Sequence, residues 1–155
     1  MGFDEDIAVL ERVPTFAVLG RDALRILAIG AESRFVAKGE VLFAAGDVAD
    51  GGYLVQEGLI ALKDGPPESQ DTGTLARPGT LIGEFALLKE TVRPVTAVAA
   101  ESSRVLRIAR TLFVKMLEGY PDAAQRLRGH LAARATRVAE DMRRLGVLLD
   151  AQGRR

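Results

Sequence analysis

From Ser33 to Ala109 the chain never carries an apolar run long enough to make a helix before a turn residue interrupts it. Residues 34–37, 41–44, 53–56, 59–62, 74–76, 80–82, 95–99 and 103–109 are short and rich in Val, Ile, Leu and Phe. Gly39, Gly46, Gly51-Gly52, Gly58 and the polar loop 64–72 separate them. Runs of this length, punctuated in this way, read as strands. About eight short strands can bury their apolar sides only by folding over one another, as a sandwich or a closed roll.

Helical periodicity flanks this region on both sides. Residues 4–31 read as helical, with Ile7, Val9 and Leu10 as one apolar patch and Pro14 as a break or restart. A second helix is expected from about Arg21, with Asp22 near its start, Leu24, Leu27 and Ala28 on one face, and Gly30 as its stop. After Ala109 the spacing predicts a short helix over 111–117, ending near Gly119. A long helix then starts at Pro121-Asp122 and runs to about Leu149. Leu131, Ala135, Val138, Met142, Leu145 and Leu149 recur at alternating intervals of 4 and 3 along it, a heptad seam suited to a parallel two-helix contact in a homodimer.

The whole chain limits the setting. At 155 residues it is long enough for one domain, 1–155, divided into helices over 4–31, strands over 33–109 and helices over 110–149. Its 21 basic and 21 acidic residues cancel, so no bulk field recruits nucleic acid or a membrane surface. The absence of cysteine excludes disulfides, thiolate metal sites and cysteine nucleophiles, and suits a reducing cytoplasm. No apolar run approaches a membrane span. The expectation is a soluble, cytoplasmic protein.

One stretch concentrates chemistry: Ile82-Gly-Glu-Phe-Ala-Leu-Leu-Lys-Glu-Thr-Val-Arg-Pro-Val-Thr96. Gly83 permits a sharp turn and close backbone approach. Residues 84–88 suit one or two helical turns, whose leading N–H groups favour an anion. Arg93, at the mouth of the next strand, could hold the same anion with its planar fork. A carboxylate at Glu84 would repel that anion, and makes sense as an acceptor for neutral donors such as a sugar hydroxyl. Together these residues describe a site for a sugar phosphate. The plain structural alternative is an Arg93–Glu84 ion pair in a roll that holds no ligand.

The same stretch resembles the phosphate-binding cassette of the cyclic-nucleotide-binding domain family, of the catabolite activator or cyclic AMP receptor type. Gly83, Glu84, Ala86, Leu87, Arg93 and Thr96 match in register, with Ile82, Phe85 and Val95 as apolar substitutes. The resemblance extends from about Phe16 to Leu149. It implies an α+β fold: an eight-stranded antiparallel β-roll of the jelly-roll type, with N-terminal helices and a long C-terminal helix. It also implies a ligand, cyclic AMP, held by Gly83, Glu84, Phe85, Ala86, Arg93, Pro94, Val95 and Thr96. Arg93 would take the phosphate, Gly83 and Glu84 the ribose, and Ala86 would supply a backbone donor. Two departures stand out. Pro94 follows the arginine where the family uses a backbone N–H, and Val138-Ala139 stand where the catabolite activator branch carries a base-contacting Thr-Ser pair.

Other chemistries find little support. His130 is the only histidine and sits on a polar helix face, which leaves no metal cluster and no serine–histidine triad. There is no Walker-type glycine loop, and the carboxylates are scattered. Eight arginines against four acidic residues between Pro121 and Arg155 read as a solvated helix face, with Glu140–Arg144 and Arg137–Asp141 at ion-pair spacing. Six residues, 150–155, are too few for a helix-turn-helix, so direct nucleic-acid binding is not expected. The sequence reads as a non-enzymatic regulatory or sensor module without cofactor or metal, acting through a homodimer or a separate protein partner. A scaffold that uses only its helical seam is the alternative.

Overall fold

The computed structural model describes residues 3–70 and 73–153, with side chains for 4–70 and 73–146. Three helices come first: α1 (Phe3–Glu11), α2 (Pro14–Ala17) and α3 (Arg21–Gly30). Pro14 is the first residue of α2, where a missing N–H costs no helical hydrogen bond. Ile7, Leu10, Phe16, Leu24 and Leu27 are all buried, so the apolar faces read from the sequence point inward.

Ten strands follow: β1 (Glu32–Val36), β2 (Val41–Phe43), β3 (Val48–Ala49), β4 (Gly51–Glu57), β5 (Ile60–Lys63), β6 (Thr74–Ala76), β7 (Leu81–Ile82), β8 (Thr91–Val92), β9 (Thr96–Ala99) and β10 (Ser103–Ala109). They pair antiparallel throughout, in the orders β1-β10-β4-β7 and β2-β9-β5-β6, with β3 and β8 as a separate pair. The roll is therefore the expected one with two strands more than the expected eight. The additional pair is β3–β8, in which Val48 faces Val92 and Ala49 faces Thr91. Two-residue strands are too short to show alternation, and both valines point to solvent, so nothing in the pattern marks them.

Two apolar clusters fill the molecule, and β4 serves both. Leu54 joins the helices through Phe16, Leu24, Leu27, Leu106, Ile108 and Phe113. Tyr53 and Val55 face the roll interior with Phe43, Ile60, Ile82, Ala97 and Val105. A strand alternates sides at each residue, so a strand with a core on both faces reads as an unbroken apolar run. Gly51 opens β4 without a side chain because a Cβ there would collide with the Ile108 carbonyl of β10.

Two helices close the chain, α4 (Arg110–Gly119) and α5 (Pro121–Gly153). The base of α5 packs through Ala123 and Leu127 onto the helical core, with Leu131 half-buried beside them. Arg126 fastens it further: its Nε donates to the Val18 carbonyl at 2.7 Å and its Nη2 to that of Leu19 at 2.8 Å. Beyond this point Val138, Met142 and Leu145 are exposed. Helix α5 continues through Gly146, and its expected Glu140–Arg144 spacing is replaced by a loose Arg144–Asp141 pair at 3.9 Å. No helix among the described residues is long and apolar enough to cross a membrane.

Candidate functional site

The chemistry-bearing stretch leaves β7 at Ile82 and turns at Gly83, whose φ of 82° lies in the left-handed region. A side chain at Gly83 would be strained there, and its Cβ would run into the guanidinium of Arg93. Residues Glu84–Leu87 then form a single 3-10 turn, shorter than the one or two α-helical turns expected. Ala86 and Leu87 are buried, and Leu87 holds the turn against the helical core. Arg110, at the start of α4, steadies the same segment by donating to the carbonyls of Ala49 and Ala86 at 3.2 and 3.4 Å.

Arg93 lies at the end of β8, only 5% exposed. Its backbone N–H donates to the Asp47 carbonyl at 2.8 Å, and its own carbonyl accepts from Gly46 N–H at 2.8 Å. The guanidinium carbon stands 4.4 Å from the centre of the Phe43 ring and 5.4 Å from that of Tyr53. Nη2 donates to the Gly51 carbonyl at 2.8 Å. Among the described residues no carboxylate pairs with Arg93: Glu84 is taken up elsewhere, and Asp50 binds Arg107 at 2.8 Å. Burial pushes the Arg93 pKa below its ordinary value, against the opposing pull of Tyr53 and Asp50. The group nonetheless stays charged at any physiological pH. A guanidinium offers five N–H donors, and among the described residues a single carbonyl accepts from this one. A buried cation is expensive without a counter-charge, so this geometry calls for an anion.

Glu84 is fully engaged within the chain. Its Oε2 accepts from the Thr15 hydroxyl of α2 at 2.8 Å, and its Oε1 accepts from Nη1 of Arg134 on α5. Arg134 Nη1 also donates to Thr15 Oγ1 at 3.3 Å, closing a triangle between the N-terminal helices, the cassette turn and the long helix. The Arg93–Glu84 ion pair is therefore absent, which leaves the arginine's charge open.

A cleft of about 390 Å³ gathers these groups, lined by Ala49, Gly83, Glu84, Phe85, Ala86, Thr91, Val92, Arg93, Pro94 and Arg134. Six of the eight residues expected at the ligand meet here. Val95 packs instead on the roll interior. Thr96 is wholly buried, its hydroxyl donating to the Gly65 carbonyl at 2.6 Å and accepting from Ala45 N–H at 2.9 Å, so it braces two loops behind the site.

Sequence reasoning missed Thr15, Phe43, Tyr53, Arg110 and Arg134. Arg134 carried a readable sign, since it falls seven residues after Leu127 and three after Leu131, on the packed side of α5. The other four sit far away in sequence and have no local signature. His130 also departs from the expectation of a solvated ring, because its Nε2 is enclosed without a hydrogen-bond partner. Of the expected seam, Leu131 is half-buried against its own chain, while Ala135, Val138, Met142 and Leu145 face solvent.

Comparison with known proteins identifies relatives of the same fold. The chain is 33% identical over 104 residues to the cyclic AMP receptor protein of Thermus thermophilus. That match covers 66% of this chain and 48% of the receptor. A cyclic nucleotide-binding-like protein from Brucella abortus superposes with a TM-score of 0.68 at 37% identity, over 74% of this chain and 99% of that one. The N-terminal domain of a Streptomyces coelicolor transcriptional regulator superposes with a TM-score of 0.79 at 28% identity, over 86% of this chain and 94% of that one. The chain spans about half or less of the length of the curated relatives it matches. The profile described as cyclic nucleotide-binding domain matches residues 33–120, more than half of the chain. With the roll, the cassette turn and the buried arginine in place, this chain belongs to the cyclic nucleotide-binding domain family.

Proposed function

We propose that this chain is a regulatory module that binds a cyclic nucleotide, cyclic AMP foremost, and passes the event on through its helices. The observation that carries this reading is Arg93: a buried guanidinium, open on the cleft side, with no carboxylate partner among the described residues. A cyclic phosphate supplies the missing charge and accepts the remaining N–H groups. Gly83, with no side chain, lets the ligand approach the backbone of the cassette turn, where Ala86 is the expected donor. A ribose hydroxyl is the neutral donor that Glu84 can accept. The name of the Thermus relative supports cyclic AMP as the nucleotide.

Glu84 gives the ligand a route to the rest of the molecule. Its two carboxylate oxygens tie the turn to Thr15 of α2 and Arg134 of α5. A ribose hydroxyl on Glu84 competes for those oxygens, so binding alters how both helices are held. The output is a rearrangement of α5, felt by a second copy across Val138, Met142 and Leu145 or by a separate protein partner in the cytoplasm.

A second reading is favoured by two features: Pro94 lines the cleft without an N–H, and Val138, Met142 and Leu145 form an exposed apolar face on α5. A nucleotide-independent scaffold would use that face alone. Calorimetric titration separates the two: saturable heat with cyclic AMP supports the sensor, and no heat with cyclic AMP or cyclic GMP leaves the scaffold.

A further inference from the structure

A buried guanidinium with N–H groups to spare attracts any carboxylate within reach, and several lie beside Arg93. Glu84 lines the same cleft, and the Asp47 carbonyl accepts from the Arg93 backbone N–H. Asp50 immediately precedes the Gly51 carbonyl that takes Nη2. Each of these carboxylates is held elsewhere. Glu84 is bound by Thr15 and Arg134, and Asp47 Oδ2 accepts from the Ala44 N–H at 2.9 Å. Asp50 Oδ2 accepts from Nη2 of Arg107, on β10, at 2.8 Å. The Asp50 side chain is 64% exposed, so packing does not fix it; Arg107, 18% exposed, is the fixed member of the pair. Nη1 of Arg107 also donates to Glu32 on β1, at 3.4 Å.

We propose that Arg107 is a positioning residue that keeps Asp50 off Arg93 and so leaves Arg93 available to the phosphate of the nucleotide. This inference rests on the reading of Arg93 as the phosphate site. Arg107 stands opposite Tyr53 in the β4–β10 pairing, so the two side chains share one face of the sheet. The Arg93 guanidinium lies over that same Tyr53 ring, at 5.4 Å from its centre. Asp50 therefore acts on both arginines. Burial would lower the Arg107 pKa, yet the hydrogen bond and charge of Asp50 carry it above its ordinary value. At Arg93 burial prevails, and Asp50 opposes it only in part. A carboxylate released from Arg107 gains most by moving to the cation that has no counter-charge. There it occupies the N–H groups that a phosphate needs, and the apparent affinity falls with the fraction of molecules so blocked.

Calorimetric titration with cyclic AMP tests this. Arg107→Leu releases Asp50 and should bind about tenfold more weakly than the parent protein, the worth of a charge-assisted hydrogen bond that the phosphate must displace. Asp50→Asn should restore the parent affinity in the Arg107→Leu background and change it by no more than about twofold alone. A merely structural role for Arg107 is not repaired by removing one negative charge. If urea denaturation shows Arg107→Leu to be unfolded, Arg107→Gln makes the same comparison. Binding by the Arg107 variant as tight as in the parent, or as weak after Asp50→Asn as before it, overturns the role of Arg107 while leaving the phosphate site standing. A parent protein that binds no nucleotide overturns both.

Discussion

Glu84 and Arg134 lie fifty residues apart in sequence and are joined directly, carboxylate to guanidinium, across the mouth of the cleft. Among the described residues, the pair ties the only carboxylate of the cleft lining to the long helix, and Thr15 adds the N-terminal helices to the same group. The side chains are 22% and 42% exposed, so solvent screens the pair and its worth is modest. In a double-mutant cycle of Glu84→Gln and Arg134→Met, followed by urea denaturation, the coupling should be about 0.2–1 kcal/mol without ligand. Coupling indistinguishable from zero means the contact does not hold α5 to the cassette.

Arg93 should cost the ligand-free protein stability. Its charge is desolvated without a counter-ion, and the Phe43 and Tyr53 rings offset only part of that. Replacing buried ionic groups by apolar ones of similar volume is often neutral or stabilising. Arg93→Leu should therefore unfold at the same denaturant concentration as the parent protein or a higher one. A loss of several kcal/mol would mark Arg93 as a structural brace.

Much of this was legible in the sequence, and the reasons are local. Helix and strand boundaries followed from period and glycine placement, and Gly83, Glu84 and Arg93 sit in one contiguous stretch. The β3–β8 pair escaped notice because its valines point outward. Thr15 and Arg134 reach Glu84 only through tertiary packing, which no local spacing encodes. Thr96 fits the cassette pattern, yet its hydroxyl is consumed by Ala45 and Gly65, residues 51 and 31 positions away in sequence. The side chains of Leu149 and of residues 150–153, and the whole of residues 154–155, lie outside the described residues.

The exposed face of α5 makes a prediction about assembly. Val138, Met142 and Leu145 are 57%, 69% and 56% exposed, on a helix that has already left its own core. Sedimentation should show a dimer that Val138→Glu dissociates, since an unpaired charge is heavily penalised in an apolar seam. A parent protein that stays monomeric with and without cyclic nucleotide excludes this seam.

Asp6 carries a pH dependence. Burial raises its pKa above the ordinary 3.8; the hydrogen bond from Gln56 Nε2, at 2.9 Å, opposes the rise and Glu5 adds to it. A carboxyl with a raised folded pKa binds its proton more tightly in the folded state, so its contribution falls as pH rises through that pKa. Relative to Asp6→Asn, which has no such titration, the parent protein should gain stability as the pH is lowered toward 3.8. A difference that does not change with pH removes Asp6 as its source.

The central claim is that Arg93 holds the phosphate of a cyclic nucleotide. Isothermal titration of cyclic AMP into the parent protein and into Arg93→Leu tests it most directly. Breaking a buried charge pair costs about 3–5 kcal/mol, more than a hundredfold in affinity, so binding should be saturable in the parent and undetectable in the variant. Equal affinity in the two proteins would contradict the account.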